Sequence, residues 1–123
     1  MTNVGNKHED SDASEYLKRE MIARLNDALR TTFQGGQVLV TQGVQHSGQM
    51  ADVLEAVRRY DFSVTDPGND PYRERDFGAI TVEGEKYFFK IDYYDPQLRY
   101  HSPDPADPRK TRRVLTIMRA DEY

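Results

Sequence analysis

The residues able to do chemistry gather in the second half of the chain. Asp70, Asp76, Asp92 and Asp95 lie within a short span of His101. Carboxylates on converging loops bind Mg²⁺ or Ca²⁺, or work as an acid/base pair. Against a metal site, no EF-hand loop and no HExxH motif occurs, and the spacing fits no known ligand pattern. Asp70 and Asp95 also each precede a proline, which is ordinary turn chemistry. The same span holds Tyr72, Tyr93, Tyr94 and Tyr100. Tyrosine offers a large contact area at low entropic cost and keeps a polar tip, so it is favoured at interfaces. Tyr72, Asp76, Asp92, Tyr93, Tyr94, Asp95 and Tyr100 are therefore the candidate binding residues, with no residue assigned to catalysis or to a metal. The bland alternative is that the tyrosines pack beneath a proline-rich loop and the acids solvate it.

Other chemistries have little to stand on. The chain has no cysteine, which excludes disulfides and thiolate metal sites. There is no GxSxG and no readable Ser/His/Asp arrangement. Arg109, Lys110, Arg112 and Arg113 form a basic run, but it adjoins acidic residues and has no aromatic stacking motif. Direct nucleic-acid binding is not expected. The net charge of −4 points the same way.

The 123 residues suffice for one domain with a modest core. Hydrophobic content of 37% and charged content of 31% are those of a soluble globular chain. No apolar run is long enough for a membrane span and no signal peptide is visible, so the expected compartment is the cytoplasm. Acidic residues dominate from Asp61 to Pro108, and basic ones from Arg109 to Tyr123. Such runs are commonly solvated faces.

The elements that position these side chains can be sketched in order. Residues 1–11 read as a disordered polar tail, followed by a single domain over 12–123. Asp12-Ala13-Ser14-Glu15 has capping-box spacing. Behind it Leu17, Met21, Leu25, Ala28 and Leu29, widened by Ile22, recur at helical spacing and stop before Gly35-Gly36. Gln37–Thr41 reads as a short strand closed by Gly43. Met50, Val53, Leu54 and Val57 mark a second helix, with Ser47 as its N-cap. His46, just before it, reads as a surface loop residue. A long loop with turn signals at Asp66-Pro67-Gly68 and Asp70-Pro71 runs to Asp76.

A β-hairpin follows, with its turn at Glu83-Gly84 or Gly84-Glu85. Both registers put Ile80, Val82, Tyr87, Phe89 and Ile91 on one face, assigned to the core. Phe77, Ala79, Thr81, Phe88, Lys90 and Asp92 take the other, which is apolar enough to need partial cover. Gly78 faces a large side chain and makes room for it. Ser102–Pro108 reads as a stiff extended surface loop. Arg112–Arg119 is a last strand, apolar on both faces and so interior to the sheet. The expected fold is α+β: two amphipathic helices packed on a mainly antiparallel four-stranded sheet, in the order α-β-α-β-β-β.

Several separated motifs agree, in order, with one known family. They are Leu25-Asn26-Asp27, Gly35-Gly36, Asn69-Asp70-Pro71-Tyr72, Asp76-Phe77-Gly78, Lys90-Ile91-Asp92-Tyr93-Tyr94-Asp95 and Ser102-Pro103-Asp104-Pro105. From about Ile22 to the C-terminus the sequence resembles the bacterial domain-of-unknown-function family 3768. The resemblance brings no established activity and no assigned residues. It implies a plasmid or other mobile-element setting, and with it an accessory or defence-related role.

The expected function is thus that of a small non-enzymatic protein without a cofactor. Its acidic Asp/Tyr surface would bind an unidentified basic protein, and such a surface could imitate the phosphate backbone of nucleic acid. The alternative is a metal-assisted hydrolase or nuclease-like enzyme using the same acids.

Overall fold

The computed structural model describes residues 3–64 and 70–123, and their side chains except those of 3–12 and 64. Among them the order is α1 (Asn3–Thr32), β1 (Gln37–Val40), α2 (Gln42–Gln45), α3 (Met50–Arg58), β2 (Phe77–Val82), β3 (Glu85–Tyr94) and β4 (Arg112–Arg119). Short 3-10 turns occupy Phe62–Val64, Pro108–Lys110 and Ala120–Glu122. The class is α+β as expected, with one helix more than the sequence pattern suggested. The expected polar tail begins outside the described residues and enters α1 at Asn3. Asp12 lies inside that helix instead of capping it.

The sheet runs β1-β4-β3-β2. β4 is central, as its two apolar faces implied. β3 pairs antiparallel with both β4 and β2, but β1 lies parallel to β4. The sheet is therefore mixed, with two of its three pairings antiparallel and one parallel. The helical stretch between β1 and β2 lets the chain return so that β1 runs alongside the last strand, and no local pattern encodes that direction.

The β2–β3 turn is Glu83-Gly84, with φ of 51° and 80°. Positive φ at both central residues is the twist-matched hairpin geometry. It pairs Ile80 with Tyr87 and Gly78 with Phe89. A Cβ at residue 78 would strike the Phe89 ring and lie 3.0 Å from Tyr60. The glycine is there for space: Phe89 meets Tyr60 edge-on at 5.1 Å and Phe62 at 6.1 Å. Tyr87, Phe89, Ile91, Leu115 and Ile117 form the core with Leu29, Val44, Val53 and Val57. On the opposite sheet face, the ring of Tyr123 covers Phe77 and Phe88 at 6.0 and 5.5 Å.

Two local expectations need correction. α1 buries only part of the apolar stripe read from its sequence: Ile22 and Leu29 are buried, but Leu17 and Met21 are 66% and 44% exposed. Its inward face is Ile22, Ala23, Asn26, Leu29 and Arg30. The helix is rotated so that Asn26 and Arg30 reach inward partners that an apolar side chain cannot serve. Arg30 Nη1 donates to the carbonyls of Val57, Arg58 and Tyr60 at 3.0, 3.1 and 3.3 Å. Those of Val57 and Arg58 are end carbonyls of α3, which have no partner within the helix, and that of Tyr60 follows just after it.

The region after β1 also differs. Gly43 does not end the strand in a loop; Gln42–Gln45 coils into α2, held by Glu122. Its carboxylate accepts from the Thr41 hydroxyl at 2.7 Å and the Gly43 amide at 3.0 Å. The N-cap of α3 is Gln49, whose amide donates to Ser47 Oγ at 3.0 Å. The Asp66-Pro67-Gly68 turn lies outside the described residues.

Candidate functional site

The alternation of β3 divides the expected cluster between the two faces of the sheet. Tyr93 points to the helices; Asp92 and Tyr94 point away. Tyr93 is buried, and its hydroxyl is fully engaged. It accepts from Asn26 Nδ2 at 2.8 Å and donates to Glu74 Oε1 at 2.9 Å. The same Asn26 amide donates to the Glu74 carbonyl at 3.0 Å. Arg113 Nε completes the set by donating to Asn26 Oδ1 at 2.9 Å. The Arg113 guanidinium stacks 5.1 Å from the Tyr93 ring and also donates to the Pro105 carbonyl. Burial holds the Tyr93 hydroxyl far above the ordinary tyrosine range, and burial lowers the proton affinity of Arg113.

The proline-rich loop is shaped by this demand. It is not the extended strap expected. Ser102 is buried and its hydroxyl donates to the Lys110 carbonyl at 3.1 Å. Thr111 Oγ1 donates to the carbonyls of Asp104 and Asp107, both at 2.9 Å. The loop is folded tightly enough to present Pro105 to Arg113.

On the other side of Tyr93 an open cleft of about 260 Å³ is lined by Asp76, Ile91, Asp92, Tyr93, Tyr94 and His101. Asp76 is placed there by its own backbone: its carbonyl accepts from the Ile91 amide at 2.8 Å, just before β2 begins. Its half-buried carboxyl is pushed up to about 6, first by burial, then by the charge of Glu74 and, more weakly, of Asp70 and Asp92. No cation pairs with Asp76 among the described residues. Asp92 differs, being paired with Lys90 at 2.9 Å. His101 enters by a bridge to Tyr94 and stands 6.2 Å, ring to ring, from Tyr93.

The remaining candidates lie elsewhere. Asp95 is spent on its turn: Oδ1 accepts from the Arg99 amide and its carbonyl from the Leu98 amide, both at 2.9 Å. Tyr100 is 73% exposed at that turn. Tyr72 is 61% exposed beside α1, with the Arg19 guanidinium 5.3 Å above its ring. Asp70 Oδ1 accepts from the Arg75 amide at 3.0 Å. The structure thus brings Asp76, Asp92, Tyr94 and His101 to one cleft with the edge of Tyr93, and leaves Tyr72, Asp95 and Tyr100 outside it.

Sequence reasoning passed over Asn26, Glu74 and Arg113 as site-forming residues. A faint signal was available at Asn26, a poor helix former in mid-helix, whose side chain therefore needs a partner. Among the described residues no three His, Cys, Asp or Glu side chains are gathered as a metal ion would require, and no helix is long and apolar enough to cross a membrane.

No curated protein and no solved structure matches the chain. A family model, described as "Protein of unknown function (DUF3768)", matches residues 40–122. The matched stretch contains every residue of the Asp76 cleft and starts after the Leu25-Asn26-Asp27 and Gly35-Gly36 motifs that the resemblance also included. Since that stretch is well over half of the sequence, the chain belongs to this family of uncharacterised domains.

Proposed function

We propose that the protein is a non-enzymatic recognition module whose Asp76 cleft receives a basic side chain from a protein partner. The observation that carries this reading is Asp76 itself. It is a half-buried carboxyl whose charged form is disfavoured by burial and by the charges of Glu74, Asp70 and Asp92, and no cation pairs with it among the described residues. A lysine or arginine inserted there would neutralise the repulsion and draw a proton off the carboxyl. Asp92 and Tyr94 shape the wall, and the exposed Tyr100 extends the contact beyond the cleft. An accessory role on a mobile element is the setting the family resemblance suggests.

The test is capture from a nuclease-treated bacterial lysate, read by mass spectrometry, with wild type beside Asp76→Asn and Asp92→Asn. The expected result is a nuclease-resistant protein held by wild type and lost by Asp76→Asn. Capture should be stronger at pH 7.5 than at pH 5, because Asp76 ionises between them. Equal capture by all three chains at both pH values would remove the proposal. The metal-assisted hydrolase reading gains nothing from this geometry. Mg²⁺ or Mn²⁺ binding by calorimetry, lost in Asp76→Asn, would be needed to restore it.

A further inference from the structure

A cavity of about 770 Å³ lies elsewhere. It opens where α1, the end of α3 and the Asp70–Arg75 segment meet, and it shares no lining residue with the Asp76 cleft. Its volume is that of a small-molecule site. Arg19, Arg30, Arg73 and Arg75 line it together with Glu20, Asp27, Asp61 and Asp70, so formal charge cancels.

Engagement does not cancel. Asp27 pairs with both Arg30, at 3.2 Å, and Arg75. Asp61 accepts from the Ser63 amide and hydroxyl at 2.9 and 2.7 Å. Asp70 holds the Arg75 amide, and Glu20 lies 3.6 Å from Arg24. Each carboxylate has a partner, and among the described residues only Asp27 and Glu20 of these four are ion-paired; Asp61 and Asp70 meet neutral donors and keep their charge. The Arg73 guanidinium has no partner among the described residues, and that of Arg19 only rests over Tyr72.

The backbone carries a second sign. Arg73 and Arg75 have φ of 57° and 59°, the left-handed region. Two such non-glycine residues on one short wall are strained, and strain of this kind concentrates where side chains must be aimed. The Asp70 carbonyl and carboxylate hold both amides at 3.1 and 3.0 Å. Exposed Tyr16, from α1, and Tyr72, from the Asp70–Arg75 segment, also line the cavity.

We propose that this cavity binds a nucleoside phosphate, with Arg73 and Arg19 taking the phosphate and Tyr16 and Tyr72 the base. Guanidinium groups match phosphate oxygens in pairs, and tyrosine rings stack on any base.

The experiment is calorimetric titration of the full chain with AMP, GMP, CMP and UMP, with inorganic phosphate as competitor. The decisive variant is Arg73→Gly, which relaxes the backbone while deleting the guanidinium. At least one nucleotide should bind wild type saturably and be displaced by phosphate. Arg73→Gly should weaken it tenfold or more with no fall in Tm, and Asp76→Asn should leave it unchanged. No nucleotide binding at millimolar concentration would overturn the proposal. So would undiminished binding by Arg73→Gly, loss of binding in Asp76→Asn, or binding of decathymidylate without any mononucleotide.

Discussion

Asn26 and Arg113 meet at 2.9 Å although 87 residues separate them. The bond joins the C-terminal third of α1 to the start of the central strand, between two buried side chains. Asn26 is the hub: one amide nitrogen serves both Tyr93 and Glu74, and the oxygen takes Arg113.

Removing that hub leaves a buried guanidinium without its acceptor. Asn26→Leu should therefore cost about 2–4 kcal/mol in urea unfolding, more than an apolar gain at the position returns. Tyr93→Phe should cost about 1–2 kcal/mol, since Glu74 loses its donor and Asn26 an acceptor. The double variant should lose less than the sum, because both act on one network. Strict additivity would show that the network is not a unit.

Asp76 sets a pH dependence of definite sign. Its folded pKa of about 6 lies above the ordinary 3.8. Below about pH 4 both folded and unfolded chains hold the proton and the site costs nothing. As pH rises toward 6 the unfolded chain ionises first, so stability is lost across that window and stays lost above it. With the group only half buried, solvent screening reduces the cost to about 1–2 kcal/mol. Asp76→Asn should be more stable than wild type by that amount at pH 7.5, and equal to it near pH 4. Thermal unfolding at a series of pH values reads the difference directly.

Glu122 works in the opposite sense. Hydrogen bonds from Thr41, then from the Arg119 amide, hold its carboxyl below the usual range. Its contribution is present at neutral pH and disappears as pH falls through the depressed value. Glu122→Ala should lower Tm at pH 7, and the gap should close on acidification. An unchanged gap at pH 3 would show that packing, not charge, holds the turn.

Gly78→Ala should destabilise by about 1–3 kcal/mol through collision with the Phe89 ring. Shortening the partner should recover part of it: Gly78→Ala with Phe89→Leu should be less damaging than the two single changes predict together. A harmless Gly78→Ala would leave the glycine without the packing role assigned to it.

The parts of the fold written in local chemistry were legible. Period-two alternation gave the hairpin, its buried face and the space-making glycine, and the doubly apolar Arg112–Arg119 gave a central strand. What could not be read was direction and rotation. Nothing in Gln37–Val40 says that it will run parallel to β4. In α1 the hydrophobic count favoured the Leu17–Met21 face, while the inward face was decided by Asn26 and Arg30, whose partners lie far along the chain. The Asp/Tyr cluster was half legible for the same reason. Sequence neighbours on a strand point to opposite sides, so Tyr93 went to the interior network while Asp92 and Tyr94 stayed at the cleft.

The strand order carries a consequence for how the chain is made. β1 emerges from the ribosome before β2, β3 and β4, yet its sheet partner, β4, is the last of these strands to be synthesised. Until then β1 and the inner edge of β3 are bare edges, open to pairing with other chains. The hairpin can form as soon as Tyr94 is out, but the sheet closes only when β4 slides between β3 and β1. Pulse-labelled hydrogen exchange on stalled nascent chains should find the β2–β3 amides protected well before those of β1. Any delay in finishing β4 should favour aggregation over folding.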